Sequence, residues 1–152
     1  MLGDIVKFLS SVLVLFLGAA LEELLPKVLG VGFPILLIAV QFLASRGGWA
    51  ATVMFALAAG AMEDALSSLA PMTSISYFLI VASFARWSGL PRLAAAFTYP
   101  CYQVWLAVWT VGLGGGVFAR ILVAFPIGLM TAFAAGAALT ALYRKAAIDE
   151  QG

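Results

Sequence analysis

Residues 52–86 read TVMFALAAGAMEDALSSLAPMTSISYFLIVASFAR, and the fold turns on how the acid pair at the centre is accommodated. Glu63 and Asp64 are adjacent, with sequence on both sides apolar enough to sit in lipid. Ionisable side chains at membrane depth are costly, and those that occur face the protein interior or a polar path and carry function. Two readings compete here. Either the acids have a role, or they mark a wet turn between two spanning helices.

The surrounding composition fixes the solvent. Of 152 residues, 64% are hydrophobic and 10% charged, with a mean hydropathy of +1.12. A soluble domain is about half apolar and a quarter charged. A chain of this length cannot hide so much apolar surface in one core, so a polytopic helical membrane protein is expected, with the lipid bilayer as its first partner. The net charge of +1 comes with no basic run, which leaves nothing to grip nucleic acid. There is no histidine, so the commonest metal ligand and general base is missing. The single cysteine, Cys101, cannot close a disulfide within the chain or complete a thiolate metal site. Nucleophile–base pairs of the Ser-His or Cys-His type are therefore unavailable. No catalytic, metal or cofactor-binding set emerges.

Charges and helix breakers divide the chain into a single integral-membrane domain, residues 1–152, with six apolar segments. The expected spans are 5–21, 30–45, 49–65, 72–87, 94–113 and 117–143. Glu22-Glu23 and Pro26-Lys27 end the first, and Arg46-Gly47-Gly48 stops the second. Arg86 closes the fourth, and Gly114-Gly115-Gly116 separates the last two. A spanning helix needs about 20 residues. The second and third runs fall short, so they are expected to extend through their flanks, tilt, or re-enter. Six spans is the expected number, with five as the fallback. Lys7 before an apolar run and small residues at Gly18-Ala19-Ala20 superficially resemble a signal peptide. A first spanning helix fits the rest of the chain better, and no soluble domain is expected at either end.

Lysines and arginines orient the bundle. With six spans and the N-terminus inside, the inner face receives Lys7, Arg46, Arg86, Arg92, Arg144 and Lys145, and the outer face only Lys27 and Arg120. This bias places both termini in the cytoplasm and the Glu63-Asp64 turn outside. Trp49, Trp87, Tyr99 and Tyr143 lie near segment ends as interfacial anchors.

Helical periodicity then separates the two acids. Thr52, Ala56, Gly60 and Asp64 recur every four residues and Ser68 continues the series, so they share one helix face. Small or hydroxylated residues at each step form a smooth strip that another helix can approach closely. Asp64 ends that strip and should point at protein. Glu63, about 100° around the helix, should point to water or headgroups. Neighbouring positions that diverge do not make a carboxylate dyad. A cation or proton site would need further acids converging at depth, and Glu22 and Glu23 are candidates on the same side. Arg120 is a possible ion partner for either acid or a snorkelling side chain. Gly128, Ala132, Gly136 and Thr140 repeat the small-residue pattern in the sixth segment. Whether its partner lies inside the chain is open at this stage. Pro100 removes a backbone donor within the fifth segment.

On these residues the chain resembles the MreD family of the bacterial rod-shape system. That family carries a proline near the start of an apolar helix, then a glycine four residues before an aspartate. A Leu-Ser-type turn and a further polar-decorated helix follow. Here these are Pro34, Gly60, Asp64, Leu66-Ser67-Ser68 and Thr73-Ser74-Ile75-Ser76-Tyr77. The match covers residues 34–86, and the remainder only in hydropathy. In one departure, the family usually places a glycine a few residues after the Ser turn, where this chain has Ala70-Pro71-Met72.

The resemblance implies a non-enzymatic scaffold of the bacterial inner membrane. It would bind an MreC-like membrane protein and help couple MreB-like filaments to the glycosyltransferase and transpeptidase of cell-wall elongation. It also implies a fold similar to the substrate-binding subunits of energy-coupling-factor vitamin transporters, which pack six short helices. Gly60 and Asp64, with Ser67, Ser68 and Glu63 beside them, become the expected partner-binding or pocket-shaping residues. The alternative is a vitamin-binding transporter subunit, with Tyr102, Trp105 and Trp109 supplying pocket aromatics. A small membrane enzyme is the third class, and the missing nucleophile–base pairs weigh against it.

Overall fold

In this computed structural model the described residues are 2–29, 33–67, 69–89, 92–110 and 116–149. Every regular element among them is a helix: α1 (Leu2–Leu29), α2 (Ile35–Arg46), α3 (Trp49–Leu66), α4 (Thr73–Ser88), α5 (Arg92–Thr110) and α6 (Gly116–Asp149). Several expectations lie outside the described residues: the opening of the second span at 30–32, Ser68, and the Gly114-Gly115 break. So do the side chains of Lys7, Arg92, Tyr143 and Lys145.

The first helix runs past the expected boundary. Glu, Leu and Lys are good helix formers, and α1 continues through Glu22-Glu23 and Pro26 to Leu29. The Glu23 carboxylate accepts Lys27 Nζ at 2.8 Å one turn on. An exposed pair of that spacing supports a helix by a few tenths of a kcal/mol. The acids that were expected to end the segment are part of its last turns.

Between Pro34 and Gly47, α2 has only 12 residues, about 18 Å of helix. It is buried almost continuously from Leu36 to Ala44, as a helix apolar on all sides must be. Each of the other five helices packs against it. Leu36, Leu37, Val40 and Ala44 join Ala56, Ala59, Phe78 and Ala82 in the main core. The shortest helix is therefore the axis of the bundle.

Three segments are long and apolar enough to cross a membrane: Phe8–Leu29, Trp49–Leu66 and Gly116–Ala141. Ile35–Arg46 is apolar but shorter. Leu9, Leu13, Phe16 and Leu17 on α1, and Leu122, Val123 and Met130 on α6, are exposed. Large apolar side chains turned outward in this way are compatible with a lipid surround.

The second small-residue strip has its partner within the chain. A Cβ placed on Gly128 would lie 2.5 Å from the Ala96 carbonyl oxygen and 3.2 Å from Tyr99 Cβ, so α5 and α6 approach backbone to backbone at that point. Pro100, four residues after Ala96, has no N–H to offer that carbonyl. The oxygen freed by the proline therefore sits against the glycine. α5 remains one helix through Pro100.

Candidate functional site

The site predicted around Gly60 and Asp64 is a clasp between α3 and α4. Thr52 and Ala56 are buried, as are Gly60 and Asp64, so the strip read from the sequence is the inward face of α3. At Gly60 the fit is tight. A Cβ there would stand 2.5 Å from Ile75 Cα and 2.8 Å from Ile75 N, and both of these are backbone atoms that cannot step aside. One turn later, Asp64 Oδ1 accepts the Ser74 N–H at 2.7 Å.

That bond supplies what α4 lacks. Its N-cap residue is Met72, which makes no side-chain cap bond. The first N–H groups of a helix have no intrahelical partner and need an external acceptor, and the positive end of the helix favours an anion. Asp64 meets both needs from the neighbouring helix. The other side of the same turn is held from α5. Ser74 Oγ and Tyr102 Oη share a hydrogen bond of 2.6 Å, and Trp105 Nε1 donates to the Thr73 carbonyl at 2.8 Å. Tyr77 donates to the Thr98 carbonyl.

The connection between the helices is closed by backbone bonds. Ser67 N–H donates to the Glu63 carbonyl at 2.9 Å, Leu69 N–H to the Asp64 carbonyl at 3.0 Å, and Thr73 N–H to the Ala70 carbonyl at 3.2 Å. Met72 has φ of 75°, the left-handed region that favours glycine. The turn at Ala70-Pro71-Met72 therefore closes on a strained methionine.

The two acids do diverge. Glu63 is half-buried and accepts Ser67 Oγ at 3.1 Å, so it is less open to water than its helix position suggested. Arg120 is exposed and forms no ion pair with either acid among the described residues.

Sequence reasoning missed the part played by Glu22. Its Oε2 accepts the Leu36 N–H at 2.8 Å, the second residue of α2, whose N-cap is Pro34 with no side-chain cap bond. Glu22 does for α2 what Asp64 does for α4. The signal was a helix beginning at Pro34 with no capping side chain of its own. Tyr102 lies within electrostatic reach of Glu22, Glu63 and Asp64, so the acids gather at one end of the bundle. No group of three or more His, Cys, Asp or Glu able to hold a metal occurs among the described residues. The arrangement orients helices, with Glu22 and Asp64 accepting backbone donors.

The aromatics Tyr77, Tyr102, Trp105 and Trp109 form a connected cluster. Ring centroids are 5.1 Å apart for Tyr77–Tyr102, and 5.9 Å for both Tyr77–Trp105 and Trp105–Trp109. A different surface stands open on the far side of α2. α1 and α6 do not pack against each other among the described residues. Between them runs an apolar groove of about 410 Å³, floored by Ile35 and Ala39 and walled by Val14, Gly18, Ala134 and Ala138. No family model matches the chain, and neither a curated protein nor a solved structure matches it.

Proposed function

We propose that this protein is a non-enzymatic scaffold of the bacterial inner membrane, of MreD type, that holds the spanning helix of an MreC-like partner. In this reading all six helices lie in the membrane, in a bundle similar to the vitamin-binding subunits of energy-coupling-factor transporters, with both termini cytoplasmic. Through that partner it helps couple MreB-like filaments to the glycosyltransferase and transpeptidase of wall elongation.

The observation that carries the proposal is the groove between α1 and α6. Its walls include Gly18 on one side and Ala134 and Ala138 on the other, and small residues let an incoming helix approach closely. Both wall helices contain segments long enough to cross a bilayer, so a partner helix can lie along them over its length. The clasp fixes α4 against α3, and both helices pack on α2, the groove's floor. Asp64 and Gly60 thus act on the partner through the position of the bundle. The vitamin-subunit alternative ranks second, because Tyr102 and Trp105 spend their polar atoms on Ser74 and Thr73 inside the chain.

The test is co-purification with an MreC-like protein, whose gene should immediately precede this one. Ala134→Trp or Ala138→Trp, which fills the groove, is expected to abolish the complex. Tryptophan at exposed Ala58 on α3 should leave it intact. Retention of the complex by both groove variants overturns the docking site, and tight vitamin binding by the isolated chain overturns the scaffold role. Cysteines placed singly at positions 63, 89 and 115 should label from outside, inside and outside respectively.

A further inference from the structure

A second cavity, about 240 Å³, opens between α2, α5 and α6 and is unlike the groove in chemistry. Gln41, Ser45 and Arg46 of α2 line one side, and Ala132, Gly136 and Thr140 of α6 the other. Gln41 is 3% exposed. Its amide nitrogen donates to Thr98 Oγ1 at 2.8 Å, while its Oε1 is buried with no hydrogen-bond partner among the described residues. A buried acceptor left without a donor is destabilising. A glutamine kept in the middle of the buried axial helix therefore asks for a donor from the cavity it lines. At the mouth, the Arg46 guanidinium stands 3.8 Å over the Phe42 ring. Arg144, exposed on α6, is one helical step of four beyond Thr140 and extends the same face. The cavity thus has small walls, an acceptor at its back and Arg46 at its mouth, with Arg144 one step further along the α6 face that Thr140 belongs to.

We infer that this cavity is a headgroup site for an anionic phospholipid of the phosphatidylglycerol class, the phosphate lying toward Arg46 and Arg144 and a headgroup hydroxyl donating to Gln41 Oε1. Basic pockets between membrane helices on the cytoplasmic side are suited to anionic headgroups. By the lysine and arginine bias both arginines belong to that side. The hydroxyl is what separates this ligand from other anionic lipids. The site lies on the face of α2 turned to α5 and α6, and its assignment does not depend on the scaffold role.

The test is a lipid titration of the purified full chain in neutral detergent, with bound lipid counted by native mass spectrometry. Three lipids of matched acyl chains suffice: phosphatidylglycerol, phosphatidylmethanol (anionic, no headgroup hydroxyl) and phosphatidylcholine. Phosphatidylglycerol is expected to bind about tenfold more tightly than phosphatidylcholine. It should bind roughly fivefold more tightly than phosphatidylmethanol. Gln41→Leu should bring the two anionic lipids together while both still exceed phosphatidylcholine. Arg46→Gln with Arg144→Gln should remove the preference for anions. Equal binding of the three lipids by the natural chain, as a cavity filled only by water would give, overturns the inference. So does equal binding of the two anionic lipids by the natural chain, a result that needs no variant to fold.

Discussion

The Asp64 carboxylate on α3 accepts the Ser74 backbone N–H on α4 at 2.7 Å, so one helix of the central hairpin caps the next. The cap is needed because Met72, at the N-cap position, offers no side-chain acceptor. It is protected because Asp64 is buried. What distinguishes this acid from its neighbour Glu63 is the backbone donor it serves.

If the acceptor is what matters, Asp64→Asn should keep most of the stability and Asp64→Ala should not. Losing a buried helix cap leaves the Ser74 N–H without a partner, at a cost of about 1–3 kcal/mol. Thermal unfolding in detergent should show a clear drop for alanine and a small one for asparagine. Equal losses would mean that the charge, and not the hydrogen bond, holds the hairpin.

Two glycines predict opposite outcomes for the same substitution. At Gly60 an added methyl meets Ile75 backbone at 2.5 Å, and forcing α3 from α4 should cost about 1–3 kcal/mol. At Gly18 the nearest atoms to an added Cβ are Ile35 Cγ2 at 3.5 Å and Leu36 Cδ2 at 3.6 Å, an ordinary contact. Alanine is a better helix former than glycine by about 1 kcal/mol. Gly18→Ala should therefore be neutral or stabilising while Gly60→Ala is harmful, in the same unfolding assay.

Glu22 should behave like Asp64 although it belongs to another helix pair. Glu22→Ala removes the acceptor for the Leu36 N–H at the start of the short axial helix, and Glu22→Gln restores one. Hydrogen exchange at Leu36 is the direct measurement. Alanine should speed it by at least about tenfold, equivalent to roughly 1.4 kcal/mol, and glutamine by much less. Unchanged exchange in the alanine variant would show that α2 is held by packing alone.

Periodicity exposed the α3 strip because small residues at Thr52, Ala56 and Gly60 leave a regular mark at spacing four. The strip proved buried from Thr52 to Asp64. The same signal at Gly128 found a real contact but could not name its partner, since nothing local says that Ala96 faces it. The charges at Glu22-Glu23 predict a helix end, whereas the helix continues to Leu29 and Glu22 reaches across to α2. That reach joins residues 14 apart in sequence, and only the tertiary arrangement creates it. The central place of α2 was likewise hidden. Its 12 residues looked like a short span, and no pattern within them shows contact with every other helix.

Met72 offers the last test, because its backbone runs against its side chain. A non-glycine residue in the left-handed region is disfavoured by about 1–2 kcal/mol, and Met72 holds φ of 75° at the start of α4. Its side chain is 61% exposed, so little packing is lost on replacement. Met72→Gly removes the strain but gives the unfolded chain more freedom, which returns about 0.4–1 kcal/mol of the gain. Asparagine tolerates the left-handed conformation without glycine's full entropic cost. Met72→Asn should therefore stabilise by about 1 kcal/mol, seen as a higher unfolding temperature, and Met72→Gly by less. A loss of stability in both would mean that the methionine side chain contributes contacts that outweigh the strain of its backbone.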